Sequence, residues 1–424
     1  MTAPPASDGA GLYVHVPFCA TRCSYCAFVT VRFSPARAAR YCDALRAELD
    51  LLASSLPAPQ RRIDSLYLGG GTPSLLDPGD LAASLEAVRR SFSLIPGTEL
   101  TLEANPRDVD DARARAWHEL GITRVSLGAQ TGNPTALRHL GRDHSPRDVE
   151  RAVGLLRRRG CEQLSLDLIA GLPGQQLEAD IDWIVSLMPE HVSVYLLELK
   201  EGTALARDAG AGRIRLPDDD AVAAGYLALL DRMAAAGYRQ YEISNFARPV
   251  APGAERCHAS RHNLKYWRRI PTPAVGLAAH GFDGTRRWSN VTALADYWRA
   301  LAARALPRAT IHHLTAAEAF EETWILGLRL TEGVDPQAVA SAFGADAVAA
   351  VRRALSPYEE AGLIACDAAG RVCLTPRGML LSNEVFAAVL AAVEEMRGAG
   401  IAIGESSQGP DEPVPAGRAR CAGD

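Results

Sequence analysis

The chain has 424 residues, with 45 Lys and Arg against 50 Asp and Glu, and a formal net charge of -5. Hydrophobic residues make up 48% and charged residues 22%, a balance that excludes a chain too polar to build a core and a nucleic-acid binder acting through bulk positive charge. No run approaches the ~18 apolar residues of a membrane span, and residues 1–11 lack the basic start and apolar stretch of an export signal, so a cytoplasmic location is expected. At roughly 150 residues per domain, two or three domains are expected. Nine cysteines without an export signal argue against a disulfide framework.

Residues 1–10 are rich in Ala, Pro, Ser and Gly and are expected to be a flexible lead-in. Short apolar runs then alternate with helical stretches. The expected strands are Leu12–Phe18, Ser65–Leu68, Glu99–Glu103, Arg124–Leu127, Gln163–Ile169 and Val192–Leu199. Helices are expected near 36–54, 79–92, 108–119, 134–159, 176–187 and 219–236. Strands alternating with helices point to a parallel α/β sheet. About six βα units suit a partial, TIM-like βα barrel over 11–237; a doubly wound sheet is the alternative. The segment 238–313, rich in Arg, His, Asn, Tyr and Trp, is expected to connect this barrel to a small C-terminal α+β domain over 314–398. There, helices near 315–329, 335–343 and 346–361 precede a hairpin formed by Leu363–Ala365 and Val372–Thr375, and a helix near 381–397 follows; this order is winged-helix-like. Residues 399–424 lack periodicity and are expected to be disordered.

Cys19, Cys23 and Cys26 follow the first strand with Cys-x3-Cys-x2-Cys spacing. Three thiolates on so short a loop suit one corner of a cuboidal iron–sulfur cluster, leaving one iron open to another ligand. Zinc, completed by His15 or Cys42, is the competing reading, although the second ligand pair usual for zinc motifs is absent. In a βα barrel the strand C-termini build the active site. Strand two ends in Gly69-Gly70-Gly71-Thr72-Pro73, three in Glu103-Ala104-Asn105-Pro106 and four in Gly128-Ala129-Gln130. Strand five carries Asp167 and six Glu198. The glycine run matches neither a P-loop nor a dinucleotide fingerprint, but it lets backbone approach a ligand.

Cys-x3-Cys-x2-Cys after the first strand, with Gly-Gly-Thr-Pro after the second, resembles the radical S-adenosylmethionine superfamily. The resemblance implies a 4Fe-4S cluster held by Cys19, Cys23 and Cys26. It also implies S-adenosylmethionine on the open iron, cleaved by one electron to a deoxyadenosyl radical. Leu140-Gly141-Arg142-Asp143-His144-Ser145, Asp167–Gln175 and Tyr241–Ala247 resemble the oxygen-independent coproporphyrinogen III oxidase group. Its decarboxylating members carry a fourth cysteine two residues after the third, where this chain has Phe28. That difference, and His262-Asn263-Leu264-Lys265-Tyr266-Trp267, is similar to the HemW heme chaperones, as are Leu374–Gly378 and Leu381–Phe386.

Carried over by motif, Tyr13, Gly70, Gly71, Thr72 and Glu103 are implied to line S-adenosylmethionine, with Gln130, Arg142 and Asp167 completing that pocket or a second one and Tyr25 beside the cluster. His262 is the implied heme contact, imidazole being a usual axial ligand, with Tyr266 and Trp267 packed on the macrocycle. His258, His280, His312 and His313 are the other candidates. The implied function is binding heme, cluster and S-adenosylmethionine and passing heme to acceptor apo-hemoproteins, membrane-bound ones included, with a separate electron donor. Coproporphyrinogen III decarboxylation is the alternative. Three departures touch the heme region's geometry: Thr131-Gly132 after Gln130, an expanded Cys257–Arg261 segment, and alanines in the run before His280.

Overall fold

The computed structural model describes residues 9–401, 403 and 404. The expected flexible residues 1–8 and most of the expected disordered tail, 402 and 405–424, lie outside the described residues. Six parallel strands form the centre: β1 (Ala10–Val16), β2 (Arg62–Gly70), β3 (Ser93–Ala104), β4 (Arg124–Gln130), β5 (Gln163–Ala170) and β6 (His191–Leu196). They lie side by side in chain order, each pair joined through a helical crossover, as parallel neighbours require. The sheet does not close on itself. Its β1 edge pairs in parallel with β9 (Ala274–Val275). Its β6 edge pairs antiparallel with β8 (Asn245–Ala247), which pairs in turn with β7 (Arg239–Glu242). The segment 238–313, expected to be a connection, therefore supplies three of the nine sheet strands.

Side chains alternate across each strand. On β1, Leu12, Val14 and Val16 are buried in the apolar core, packed with Tyr41, Leu45, Leu49 and Leu52 of helix Pro35–Ser55. The other face carries polar groups in register: Tyr13 and His15 on β1, Ser65 and Tyr67 on β2, Glu99 and Glu103 on β3, Ser126 on β4, Ser165 and Asp167 on β5, His191 and Ser193 on β6. That polar face surrounds a cavity of about 460 Å³, lined by β2 to β6 and by the cysteine loop.

The helix expected over 134–159 is two helices, Pro134–His139 and Pro146–Arg158. Asn133 caps the first, and Ser145 with Asp148 forms a capping box on the second. Pro146 stands in the first turn of the second helix, where proline disfavours helical backbone in the residue before it. The intervening Leu140–Ser145 turn aims Arg142 into the cavity.

Beyond β9 lies a small antiparallel sheet of His280–Phe282, Arg286–Asn290 and Arg308–His313. The C-terminal part comprises helices Ala316–Arg329, Pro336–Phe343 and Ala345–Glu360, the hairpin Ile364–Cys366 with Val372–Leu374, and helices Pro376–Leu380 and Ser382–Gly398. Its Phe320, Trp324, Val351 and Val389 join the same apolar core as the barrel. Among the described residues, no helix is long and apolar enough to cross a membrane.

Candidate cluster and S-adenosylmethionine site

The cysteine loop is fixed at both ends and in the middle. Phe18–Cys19 pairs in parallel with Val31–Arg32. The Ser24 backbone N–H donates to Leu140 O at 2.9 Å, the Ser24 hydroxyl donates to His139 O at 2.7 Å, and Leu205 N–H donates to Ser24 O at 2.9 Å. The loop thus leans on the turn that carries Arg142. Cys19, Cys23 and Cys26 all line the cavity. Thr72 Oγ1 donates to Cys19 Sγ at 3.6 Å, and Arg142 Nη1 donates to Cys23 Sγ at 3.5 Å. Burial pushes the Cys19 and Cys26 thiols up, so thiolates there require compensating positive charge.

Arg142 is a cationic side chain beside them, and Arg22 is another, close to Cys26. Arg142 Nη2 donates to Gly128 O at 2.8 Å, while its buried Nε has no partner. Burial opposes its charge, but Tyr25 and Cys23 beside it hold its pKa above the usual value. A buried guanidinium with a spare donor fits an anionic group in the cavity. The donor set therefore suits a thiolate-bound cluster and a carboxylate-bearing ligand. Among the described residues, no three His, Cys, Asp or Glu side chains are arranged round a single ion. Of the zinc alternative's fourth ligands, Cys42 lies outside the cavity lining, and His15 keeps a buried Nε2 without a partner. His15 Nδ1 lies 3.0 Å from the Tyr13 hydroxyl, and Cys42 is buried in the core, its thiol pushed up to about 12 chiefly by burial.

The glycine run is also required by packing. Gly70 has φ of +113°, and a Cβ there would stand 2.4 Å from the His15 ring. A Cβ on Gly71 would stand 2.6 Å from Phe18 O. Both positions are glycine because β1 and the cysteine loop press against them. What they offer the site is backbone: Gly70 N–H donates to Glu103 Oε2 at 2.9 Å. The Tyr67 hydroxyl holds Oε1 at 2.7 Å. Burial raises the Glu103 carboxyl to about 7, against these two hydrogen bonds. Asp167 is likewise raised by burial, and Ser126 Oγ lies 3.1 Å from both of its oxygens. Gln130, after a register shift in β4, has φ of +67°, a strained value for a side chain other than glycine.

Of the residues expected to bind cofactor, Tyr25, Gly70, Gly71, Thr72, Glu103, Gln130, Arg142 and Asp167 line this one cavity with the three cysteines. Tyr13 stands behind it, stacked on Tyr67 with ring centroids 6.1 Å apart. His262 does not reach the cavity wall. It is 1% exposed, its Nδ1 lies 3.1 Å from Ser65 Oγ, and its Nε2 lies 3.0 Å from the Tyr266 hydroxyl. That placement does not fit an axial heme ligand, since both nitrogens are engaged and the ring is enclosed. Nor do Tyr266 and Trp267 offer a platform for a macrocycle: Tyr266 packs edge-on against His262, and Trp267 lies under the Arg329 guanidinium at 4.2 Å. Tyr67, Ser126, Ser165, His191, Ser193 and Tyr195, all lining the cavity, escaped the reading of strand ends alone. Their signal is the two-residue polar alternation along each strand.

The chain matches the radical SAM superfamily over residues 13–184 and the HemN C-terminal domain over residues 314–381. The heme chaperone HemW of Mycobacterium tuberculosis is 38% identical, covering 92% of this chain and 96% of that protein. The heme chaperone HemW of Bacillus subtilis is 35% identical, covering 89% and 98%. Coproporphyrinogen III oxidase (HemN) from Escherichia coli, a radical SAM enzyme, shares the fold with a TM-score of 0.77 over 90% of each chain at 21% identity. Superfamily membership implies a 4Fe-4S cluster and S-adenosylmethionine, for which the cavity carries a matching donor set. With this similarity running through barrel and C-terminal domain alike, the chain belongs to the HemW family of the radical SAM superfamily.

Proposed function

We propose that this protein is a heme chaperone that binds heme, a 4Fe-4S cluster and S-adenosylmethionine and hands heme to acceptor apo-hemoproteins. The observation that carries the reading is the convergence of Cys19, Cys23 and Cys26 with Glu103, Arg142 and Asp167 on one cavity, in a chain similar over nearly its whole length to proteins named as heme chaperones. Cys19, Cys23 and Cys26 hold the cluster, with Arg142 balancing the thiolates. Gly70, Gly71, Thr72 and Glu103 receive S-adenosylmethionine, and Gln130, Arg142 and Asp167 complete its pocket. When bound, the cluster supplies single electrons to that ligand. Phe28, at the position of the oxidases' fourth cysteine, is 65% exposed at the cavity mouth and leaves the decarboxylating reading without its distinguishing ligand. The heme site is not assigned to His262.

Anaerobic reconstitution is expected to load about four irons and four sulfides per chain, and replacing all three cysteines with serine should abolish this. Heme-loaded protein mixed with an apo-hemoprotein should transfer the Soret absorbance to the acceptor. Formation of protoporphyrinogen from coproporphyrinogen III, with reductant and S-adenosylmethionine present, would overturn the chaperone reading in favour of the oxidase.

A further inference from the structure

The helix Arg261–Trp267, which carries the His-Asn-x-x-Tyr-Trp motif, is built into the barrel floor. Glu99 on β3 holds its first turn, accepting from the backbone N–H of Arg261 and of His262, each at 3.3 Å. One turn on, Lys265 is 1% exposed, donating to Gly9 O at 2.7 Å and pairing with Asp64 at 2.5 Å. The helix lies so close to β1 that a Cβ on Gly11 would stand 3.2 Å from His262 Cε1. The His262 ring is thus held from both ends, by Ser65 and by Tyr266. Burial lowers its pKa to about 3, so the ring is neutral over the physiological range.

Its free face has one use. The Tyr67 ring stacks on it, with centroids 5.1 Å apart and planes 29° from parallel, and Tyr13 packs against both rings, 6.1 Å from Tyr67 and 6.3 Å from His262. Tyr67 is therefore backed by a cluster of His262 and Tyr13 while its hydroxyl holds Glu103. We infer that His262 is a positioning residue for the Glu103 carboxylate, acting through Tyr67, and not an axial ligand to heme iron. Without the His262 face the Tyr67 hydroxyl is free to leave Glu103 Oε1, and the Gly70 N–H is then the remaining hydrogen bond on that carboxylate. The inference rests on the assignment of Glu103 to S-adenosylmethionine, and the test separates the two.

The test uses the anaerobically reconstituted holoprotein and two readouts, the dissociation constant for S-adenosylmethionine and the Soret spectrum after heme titration. His262→Ala removes the supporting ring face and is expected to weaken S-adenosylmethionine binding on the order of tenfold, as loss of a hydrogen bond to a charged group would. Tyr67→Phe should do the same. His262→Phe restores a ring face but cannot ligate iron, so it should recover most of the affinity. The Soret maximum should be the same in wild type, His262→Ala and His262→Phe. Unchanged S-adenosylmethionine affinity in His262→Ala, no recovery in His262→Phe, or a Soret shift in His262→Phe would each overturn the inference. Should His262→Ala not fold, weak binding in Tyr67→Phe together with near-native binding in His262→Phe remains the required result. Wild-type affinity in Glu103→Gln would remove the pocket assignment and the inference with it; lost affinity there, with none lost in His262→Ala, would remove the inference alone. Failure of the wild type to take up heme would count against the chaperone reading and leave the S-adenosylmethionine comparison to decide.

Discussion

Glu103 shows how a binding group is kept ready inside a barrel at a cost in stability. Its carboxyl is raised from 4.5 to about 7, first by burial and then by the Asp167 charge, against hydrogen bonds from Tyr67 and Gly70. A folded-state pKa above the unfolded one means that the folded chain binds the proton more tightly. The associated stability is present below about pH 4.5 and is lost as the pH rises through 7, at most about 3 kcal/mol in all. Glu103→Gln should therefore melt higher than wild type at pH 8 in the ligand-free protein and coincide with it near pH 4.5. Equal melting temperatures at pH 8 would contradict this. Glu103 was legible in the sequence as a strand-end carboxylate. Tyr67, which holds it, was not, because a tyrosine inside a strand reads equally well as core. Nor did the motif reveal that His262 faces a tyrosine ring, since a buried histidine and a metal-ligating histidine look alike in one dimension.

At the scale of elements, the two most informative pieces are a break and a cap. The break at Leu140–Ser145 interrupts an amphipathic pattern that continues on either side, so periodicity alone joined the two helices into one. Ser145-Pro146 marks the second start, and the turn before it is what delivers Arg142 to the cysteine loop. The cap is Glu99, whose carboxylate serves the helix Arg261–Trp267 and also faces Arg124 at 3.8 Å, with both side chains almost wholly buried. Removing one partner of a buried ion pair leaves the other charge without compensation and typically costs about 3–5 kcal/mol. Glu99→Ala is expected to lose stability of that order, and Glu99→Gln less, because its amide oxygen still accepts from the helix N-terminus. Urea unfolding measures both; a midpoint for Glu99→Ala equal to wild type would show that Arg124 finds its counter-charge elsewhere.

Across the whole molecule, the parallel sheet depends on chain far from the six strands that define it. Pairing along β1 needs β9, and pairing along β6 needs β8 and β7. A chain ending at residue 237 would expose both edges, and open edges of apolar strands pair with other molecules. Such a truncation should be insoluble or aggregate on size-exclusion chromatography; a monomeric product with native circular dichroism would contradict the shared-sheet architecture. The C-terminal part is joined to the barrel in the same way. Arg268 pairs with Glu332 at 2.9 Å, Arg269 with Glu322 at 3.0 Å, and Arg329 covers Trp267. The motif helix thus touches the cavity through Asn263, the barrel floor through His262 and Lys265, and the C-terminal part through Trp267 and Arg268.

The sequence by itself determined the alternation of strands and helices, the C-terminal helices with their hairpin, and the identity of the three thiols. These are local properties: hydrophobic period, capping residues and close spacing along the chain. It also showed, through Phe28, which branch of the superfamily to expect. Only the tertiary structure decided that three short strands within residues 238–275 join the sheet, that Gly70 and Gly71 yield to β1 and the cysteine loop, and that His262 lies in the floor behind Tyr67. Those outcomes depend on which surfaces meet across about 50 to 260 residues of chain. Steric contact and burial at such separations leave no period in the sequence, so the residue type alone does not distinguish a wall of the cavity from the packing behind it.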